Sequence, residues 1–540
     1  MRALGVKKGD RITVYMPTRV ESIAVFYAAA RIGAIATPVF AGFSAGALRD
    51  RILLTEPKLL FTQDFNMRRG KIIDLKGIVD DAIKGIEKPS IEKVIVFKSG
   101  YTEKEALMNP QRDITFDEFL SKSKEGSSEV EWVESNDPLY IIPTSGTTAK
   151  PKPVVHKHGP YQVFVTTMSK WVYGIEPNDV WFNTSDVGWV VGMSYIVYGI
   201  PIFGATTIVY DGVADYPRPD MWWEIIEKNR VTKLWISPTG IRLLGKYGTS
   251  YAKKHDLSSL KVVFSAGELL NPEPLKWLMY DVLDGRVPVI DHMWQTETGG
   301  PLVGNPYGIQ LIPIKPGSAG ILLPGLIGYV ANEETGQPAK PGEKGVLVIK
   351  HPFPGYTSEL WKDYDRYLRS YWNARPQLKG VIYTGDGAMI DEDNYIWFVG
   401  RTDDVIKISA HRIGAYELES ALVSHPAVAE AAVIGVPDPI RGEVAVGFVV
   451  LKEGYKPDEK IKQELEEHVK KVFGPVAVFK TIEFVKAVPK TRSGKIMRRV
   501  IRAVYKNEPL GDISTLEDEA EVEEIKRAIE QFKQELKEKT

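Results

Sequence analysis

Short β-rich runs alternate with helical patterns through the first 270 residues, and this alternation narrows the fold more than any other feature of the chain. ITVYM (Ile12–Met16) is followed by the amphipathic ESIAVFYAAARIGA and then by the extended ATPVF; KLLFT, VIVFK, TTIVYDG, KLWISP and KVVFSAGE continue the rhythm. Strands separated by helices predict parallel sheets covered on both faces, an α/β architecture. With 540 residues the chain exceeds what one core can hold. Between residues 315 and 400 the texture changes to short strands with turn signals (EETGQ, KPGEKG, DEDN), which predicts a smaller β-rich lobe. Beyond GRTDD a new α+β unit begins, with ELESALVSH as helix and AEAAVIGV as strand. The expected organisation is a large domain over 1–402, a small mobile domain over 403–512, and a solvated, charge-laced helical tail over 513–540.

Composition removes several classes of function. Sixty-nine basic residues against seventy acidic ones leave no net field to recruit nucleic acid or an anionic membrane, so an anion must be gripped locally. The absence of cysteine excludes disulfides, thiolate metal sites and a cysteine nucleophile, and fits a cytoplasmic protein. MRALGVKKGD has no apolar core and is not a secretory signal. Val187–Tyr210 carries no charged residue and is long enough to span a bilayer. Its four glycines, Pro201 and the β-branched run TTIVY read instead as a buried helix feeding a buried strand.

Four segments carry candidate chemistry. TSGTTAKPKP (Thr144–Pro153), at the exit of the apolar run LYII, offers hydroxyls, backbone N–H groups and the cations Lys150 and Lys152 to an anion. It lacks the GxxxxGK[ST] pattern of a P-loop, and taken alone it is equally a solvated turn. DHMWQTETGG (Asp291–Gly300) interleaves a tryptophan with polar groups, and Glu297 offers a carboxylate to a phosphate-bound Mg²⁺. In the third segment Asp386 sits in a TGDG turn suited to a ribose diol, while Arg401 and Arg412 offer forked donors to phosphate. PKTRSGKIMRRVIRAVYK (Pro489–Lys506) is strongly basic; with no interleaved aromatics it reads less as a nucleic-acid strip than as one lysine, Lys495, on a mobile turn.

Taken together and in order, RIGAIATPVFAGFS, the SAGE turn at Ser265–Glu268, WQTETGG, TGDG, GRTDD, SAHR, PKTRSGKIMRR and GDISTL resemble the adenylate-forming superfamily of acyl-CoA synthetases, luciferases and peptide-synthetase adenylation domains. Within it the chain is most similar to AMP-forming acetyl-CoA synthetases and their short-chain relatives. The resemblance implies a two-step ligase: a carboxylate attacks the α-phosphorus of MgATP to give an acyl-adenylate and pyrophosphate, and the CoA thiol then displaces AMP. It implies ATP contacts from Thr144, Ser145, Gly146, Thr147, Thr148 and Lys150, and from Gly267, Glu268 and Leu269 beside adenine. Asp291, His292, Met293, Trp294, Gln295 and Thr296 would join them, with Asp386 and Arg401 on the ribose and Arg412 on phosphate. Lys495 is implied as the catalytic lysine of the first step, helped by Arg412 and the metal carboxylate Glu297.

For the second step the resemblance implies a swing of the C-terminal domain about Asp403 that brings Ser409, Ala410 and His411 to CoA. Gly42, Arg68, Lys71, Val191 and Lys470 are the other implied CoA contacts. Val190, Val191, Ala266 and Trp294 would wall the carboxylate pocket. Acetate-specific relatives tend to carry threonine and valine where Val191 and Ala266 stand, so propionate-sized acids and hydroxy acids such as 3-hydroxypropionate or 4-hydroxybutyrate are expected to compete with acetate. Val423, His425 and Val428 match a secondary magnesium site, for which a plain surface turn is the equal alternative. A homo-oligomer and control by acylation of Lys495 also belong to the resemblance.

Three departures stand out: Ala149 and Pro153 replace glycines, and the resembled chains usually carry about a hundred residues before this start, so that either the start is placed late or the amino-terminal edge of the large domain is missing. The competing readings are an acyl-adenylate former with another acceptor and a catalytically dead nucleotide- or CoA-binding regulator.

Overall fold

The computed structural model describes the backbone of all residues except 126, 145–150, 409–410, 440, 474–476, 492–493, 512, 514–515 and 539–540; the side chains of 124–125, 403, 407, 411–412 and 535–538 are also outside the description. Among the described residues, seven strands form the first sheet. Their spatial order is Asp113–Thr115, Lys93–Phe97, Leu59–Gln63, Arg11–Tyr15, Ile35–Pro38, Pro138–Thr144 and Lys152–Lys157. All neighbours are parallel except the last pair. The helix Val20–Arg31 buries Val25, Phe26 and Ala29 against this sheet, and Gly33, at φ +67, turns the chain back into the strand Ile35–Pro38.

A second sheet is parallel throughout: Thr206–Ile208, Val180–Asn183, Lys233–Trp235, Val262–Ser265 and Val289–Asp291, in that spatial order. An antiparallel sheet of Gly328–Ala331, Gly345–Ile349, Ile382–Ile390 and Ile396–Arg401 makes the β-rich lobe. Downstream, Val405–Ile408, His411–Gly414, Val428–Asp438, Gly442–Leu451 and Phe479–Phe484 form a further sheet, with the helices Ala415–Val423, Glu459–Val472, Arg498–Lys506 and Glu519–Glu538. The mixed α/β architecture agrees with the alternation in the sequence.

Two expectations need correction. The tail helix is not simply solvated: Val522, Ile525, Ile529 and Phe532 are buried, and the first three share a cluster with Val500, Ile501 and Val504 of the preceding helix. Their spacing of three, four and three residues puts them on one face, which the surrounding charge hides from a compositional reading. The uncharged run is helical and buried from Met193 to Val197, but the strand that follows, Thr206–Ile208, lies at a sheet edge and is only partly covered. Among the described residues no helix is long and apolar enough to cross a membrane. Pro153 stands opposite Pro143 in the antiparallel pair, so two residues without an N–H face each other, and the Pro153 carbonyl accepts from Trp361 N at 2.8 Å.

Candidate functional site

Parallel strands bring successive loops together at their carboxyl ends. Ser265 and Asp291 are register partners at the ends of adjacent strands, so the SAGE turn and the DHMWQTET segment leave the second sheet side by side. Gly267 takes φ +105 and passes the chain to Glu268. Glu268 is gripped three ways: Arg242 lies 2.7 Å from Oε2, Thr239 N donates to Oε1 at 2.7 Å, and the Thr239 hydroxyl also donates to Oε1. Asp291 is buried, and loss of water pushes its carboxyl well above the usual range, with Glu268 adding to the effect.

His292 turns its ring into the core, where Tyr173 Oη lies 2.8 Å from Nε2 and Trp235 Nε1 donates to the same nitrogen at 3.4 Å. Burial pushes the imidazole down to about 3, so it is a neutral packing group. Met293 pairs with Val303 through its backbone, and Leu269 packs on the large core cluster. The indole of Trp294 meets the ring of Tyr195 edge to face at 5.5 Å. Val190, Ala266, Val191 and Trp294 belong to one apolar cluster, the first two buried and the others packed against it.

Gln295 and Arg401 converge on the TGDG turn. Gln295 Nε2 donates to Thr384 O at 2.7 Å and to Asp386 Oδ2 at 2.5 Å, and Arg401 Nη1 donates to Thr384 O at 2.8 Å and to Asp386 Oδ1 at 3.2 Å. Thr296 is held from below by His156, whose Nε2 lies 2.8 Å from its carbonyl; burial pushes that imidazole down to about 4, so Nε2 carries the donated proton.

The next residue, Glu297, is the charged centre of the site. Burial acts to raise its pKa, but the Lys152 ammonium at 3.2 Å and the Tyr371 hydroxyl at 2.5 Å outweigh burial and bring it to about 2. Lys152 also lies 4.7 Å from the Tyr371 ring centre. Thr144 and Lys152 are opposite each other in the antiparallel pair, so the loop joining them springs from beside Glu297. Of that loop, Ser145, Gly146, Thr147, Thr148, Ala149 and Lys150 lie outside the described residues, as do Ser409, Ala410 and the side chains of Asp403, His411 and Arg412.

Lys495, far along the chain, comes within electrostatic reach of Arg401 and Asp386. Its side chain opens to solvent yet is densely surrounded, and its ammonium is held below the ordinary value by desolvation first and the Arg401 charge next, against Asp386 and Asp404. Three neighbouring arginines are spent internally. Arg498 forks onto Glu419 at 2.7 and 2.5 Å and reaches Asp404 at 3.1 Å, Arg502 also pairs with Asp404, and Arg499 donates to Leu510 O.

Arg68 and Lys71 face each other across the hairpin Phe65–Arg68 and Lys71–Asp74, which the sequence reading did not foresee. Arg68 lies 3.8 Å from Glu517, while Lys470 is exposed on the last turn of the helix Glu459–Val472, and no hydrogen bond or ion pair joins it to that hairpin. Gly42 is half-buried beside Phe43. His425 accepts Ala427 N at Nδ1 and meets His468 edge to face at 5.1 Å; Val423 ends a helix and Val428 opens a strand. Among the described residues no group of three or more His, Cys, Asp or Glu side chains could hold a metal. Sequence reasoning missed Tyr371, Thr239, Arg242 and His156, none of which lies in a motif; their roles come from sheet neighbours and from the helical stretch Tyr364–Trp372 packing over Glu297.

The model of AMP-binding enzymes matches residues 1–357, and that of their C-terminal domain matches residues 417–495. The chain is 47% identical over 534 residues to an acetyl-coenzyme A synthetase of Pyrobaculum arsenaticum, covering 98% of this chain and 78% of that one. It is 49% identical over 542 residues to a 3-hydroxypropionyl-coenzyme A synthetase of Sulfurisphaera tokodaii, covering 99% and 81%. In fold it is similar to an acetoacetyl-CoA synthetase from Streptomyces lividans, with a TM-score of 0.86 at 24% identity over 98% of this chain and 79% of that one.

Proposed function

Because this chain belongs to the AMP-binding enzymes, we propose that it is an AMP-forming short-chain acyl-CoA synthetase whose acid is 3-hydroxypropionate, propionate or acetate. The observation that supports the reading is that the Lys495 turn rests on Thr239, which also holds Glu268, and lies within electrostatic reach of the Asp386–Arg401 pair. In the first step a carboxylate oxygen bonds to the α-phosphorus of ATP while the bond to pyrophosphate breaks. Two anions must approach, and Lys495 offsets their repulsion while Arg412 holds phosphate oxygen. In the second step the CoA sulfur bonds to the acyl carbon, AMP leaves, and the thiol proton passes to solvent.

Each remaining residue has a positioning task in this reading. Asp386 and Arg401 hold the ribose, Gly267 to Leu269 flank adenine, and the buried Asp291 meets its edge. Thr144 and the loop from Ser145 to Lys150 cradle the terminal phosphates. Glu297, ionised and buried, is the residue to hold Mg²⁺: Oε1 is engaged by Lys152 and Tyr371, and one further carboxylate oxygen with phosphate and water suits this cation. When bound, Mg²⁺ neutralises charge on the phosphates. Asp403 is the hinge about which residues 403–512 turn, presenting Ser409, Ala410 and His411 to CoA, whose 3′-phosphate meets Arg68, Lys71 and Lys470. Lys495, accessible on its turn, is also the position at which acylation would silence the first step.

Trp294 closes the acid pocket, and Val191 and Ala266 leave it wider than threonine and valine would at one wall and less polar at the other. That wall set, with a 3-hydroxypropionyl-coenzyme A synthetase among the relatives near 50% identity, favours a three-carbon acid. Initial rates of AMP formation across acetate, propionate, butyrate and their hydroxy analogues, with and without CoA, test the reading. Three-carbon acids should match or exceed acetate, and turnover should require CoA. Absence of carboxylate-dependent ATP–pyrophosphate exchange would remove the proposal altogether.

A further inference from the structure

Gly494 and Lys495 are both tied back to Thr491. Gly494 N donates to Thr491 O at 2.7 Å, and Lys495 N donates to Thr491 Oγ1 at 3.0 Å. Gly494 takes φ +89, and a β-carbon there would lie 2.0 Å from Thr239 Oγ1 and 2.4 Å from Thr239 Cβ. The turn therefore rests directly on a residue 255 positions away, in the first turn of the helix Pro238–Gly245.

Thr239 touches both halves of the crevice. Its hydroxyl has one proton and two acceptors, Glu268 Oε1 and the Gly494 carbonyl at 3.4 Å. The carboxylate is closer and charged, so it takes the proton, and Gly494 sits against the oxygen in van der Waals contact. Glu268 does not depend on that hydroxyl alone, because Thr239 N and Arg242 Nη2 hold it at 2.7 Å each. The grip on Glu268 thus belongs largely to backbone and Arg242, whereas the seat under Gly494 belongs to the size of the Thr239 side chain.

We propose that Thr239 is a positioning residue for the adenylation step, setting how deeply the Gly494–Lys495 turn enters the crevice. The inference rests on the reading of Lys495 given above. A side chain one methylene larger lifts the turn and withdraws the ammonium from the reacting phosphate, while the thioester step, which does not use the docked turn, is untouched.

The full-length enzyme tests this through its two half-reactions: ATP–pyrophosphate exchange with acetate, and acetyl-CoA formation from supplied acetyl-AMP and CoA. Thr239→Ile should lower exchange at least about tenfold, as overpacking of a closed contact does. It should leave the second half-reaction unchanged, and Thr239→Ser, which keeps the hydroxyl on Glu268, should exchange at nearly the normal rate. Gly494→Ala overpacks the same contact from the other side and should split the half-reactions in the same way, which keeps the test alive if Thr239→Ile folds poorly. Equal loss of both half-reactions, a rise in the KM for ATP alone, or normal exchange in folded Thr239→Ile overturns the seat. Absence of exchange in the unsubstituted enzyme refutes the functional reading itself, and the seat with it.

Discussion

Tyr371→Phe deletes one hydroxyl and nothing else of the Glu297 environment. The hydroxyl donates to Glu297 Oε1 at 2.5 Å, and with Lys152 it opposes burial and brings the carboxyl from 4.5 to about 2. A hydrogen bond to a buried charge is worth about 1.5–3 kcal/mol, so its loss raises the carboxyl pKa by about 1–2. The sign follows from linkage. Glu297 is depressed in the folded state, so its contribution is complete above the unfolded value of 4.5 and disappears as pH falls through about 2. With a higher folded pKa the variant has less of that contribution to lose. Tyr371→Phe should therefore be less stable than the unsubstituted protein by about 1.5–3 kcal/mol at pH 7, and the gap should narrow to about half to three-quarters of that at pH 3. Urea unfolding followed by tryptophan fluorescence at both pH values measures it. A gap below about 0.5 kcal/mol at pH 7, the size of an ordinary surface change, or one equal at both pH values, refutes the electrostatic account.

Other perturbations probe the remaining parts of the site. Lys152→Met leaves a buried carboxylate without its cation, so Glu297 should titrate upward and adenylation should fall most at low pH, by about a hundredfold or more; exchange rates at pH 6 and 8.5 report it, with Lys152→Arg largely restoring activity. His156→Gln keeps a donor to the Thr296 carbonyl but removes a ring held neutral down to about 4 against an ordinary 6.5. As pH falls from 6.5 toward 4 the unfolded chain gains a proton that folded His156 refuses, which costs the unsubstituted protein about 3 kcal/mol; the stability curves of the two proteins should converge over that window, and parallel curves would contradict the burial argument. Ala266→Val narrows the acid pocket and should shift the ratio of kcat/KM for 3-hydroxypropionate over acetate toward acetate by about 10–200-fold, the scale set by one or two methylenes. Lys495→Ala should abolish exchange yet retain thioester formation from supplied acyl-adenylate, and equal loss of both steps would contradict the domain swing.

The motifs alone identified the family, and the alternation of strands and helices gave the α/β class. That information is local: strand periodicity, a glycine where φ is positive at Gly267, and polar residues packed into a short turn such as TGDG are properties of neighbouring residues and survive in a linear string. The partners of those residues are not local. Tyr371 lies 74 residues from Glu297, His156 lies 140 from Thr296, and the Lys495 turn rests on a threonine 255 positions away, so only the packing of sheets and helices decides that they meet. The same holds for His292, whose place within a polar motif pointed to the crevice while Tyr173 and Trp235 draw its ring into the core. A buried ionisable group is defined by what surrounds it in three dimensions, because desolvation and nearby charge set its proton affinity; the chain determined which chemical groups were available, and tertiary structure decided which of them are charged, committed or free to act.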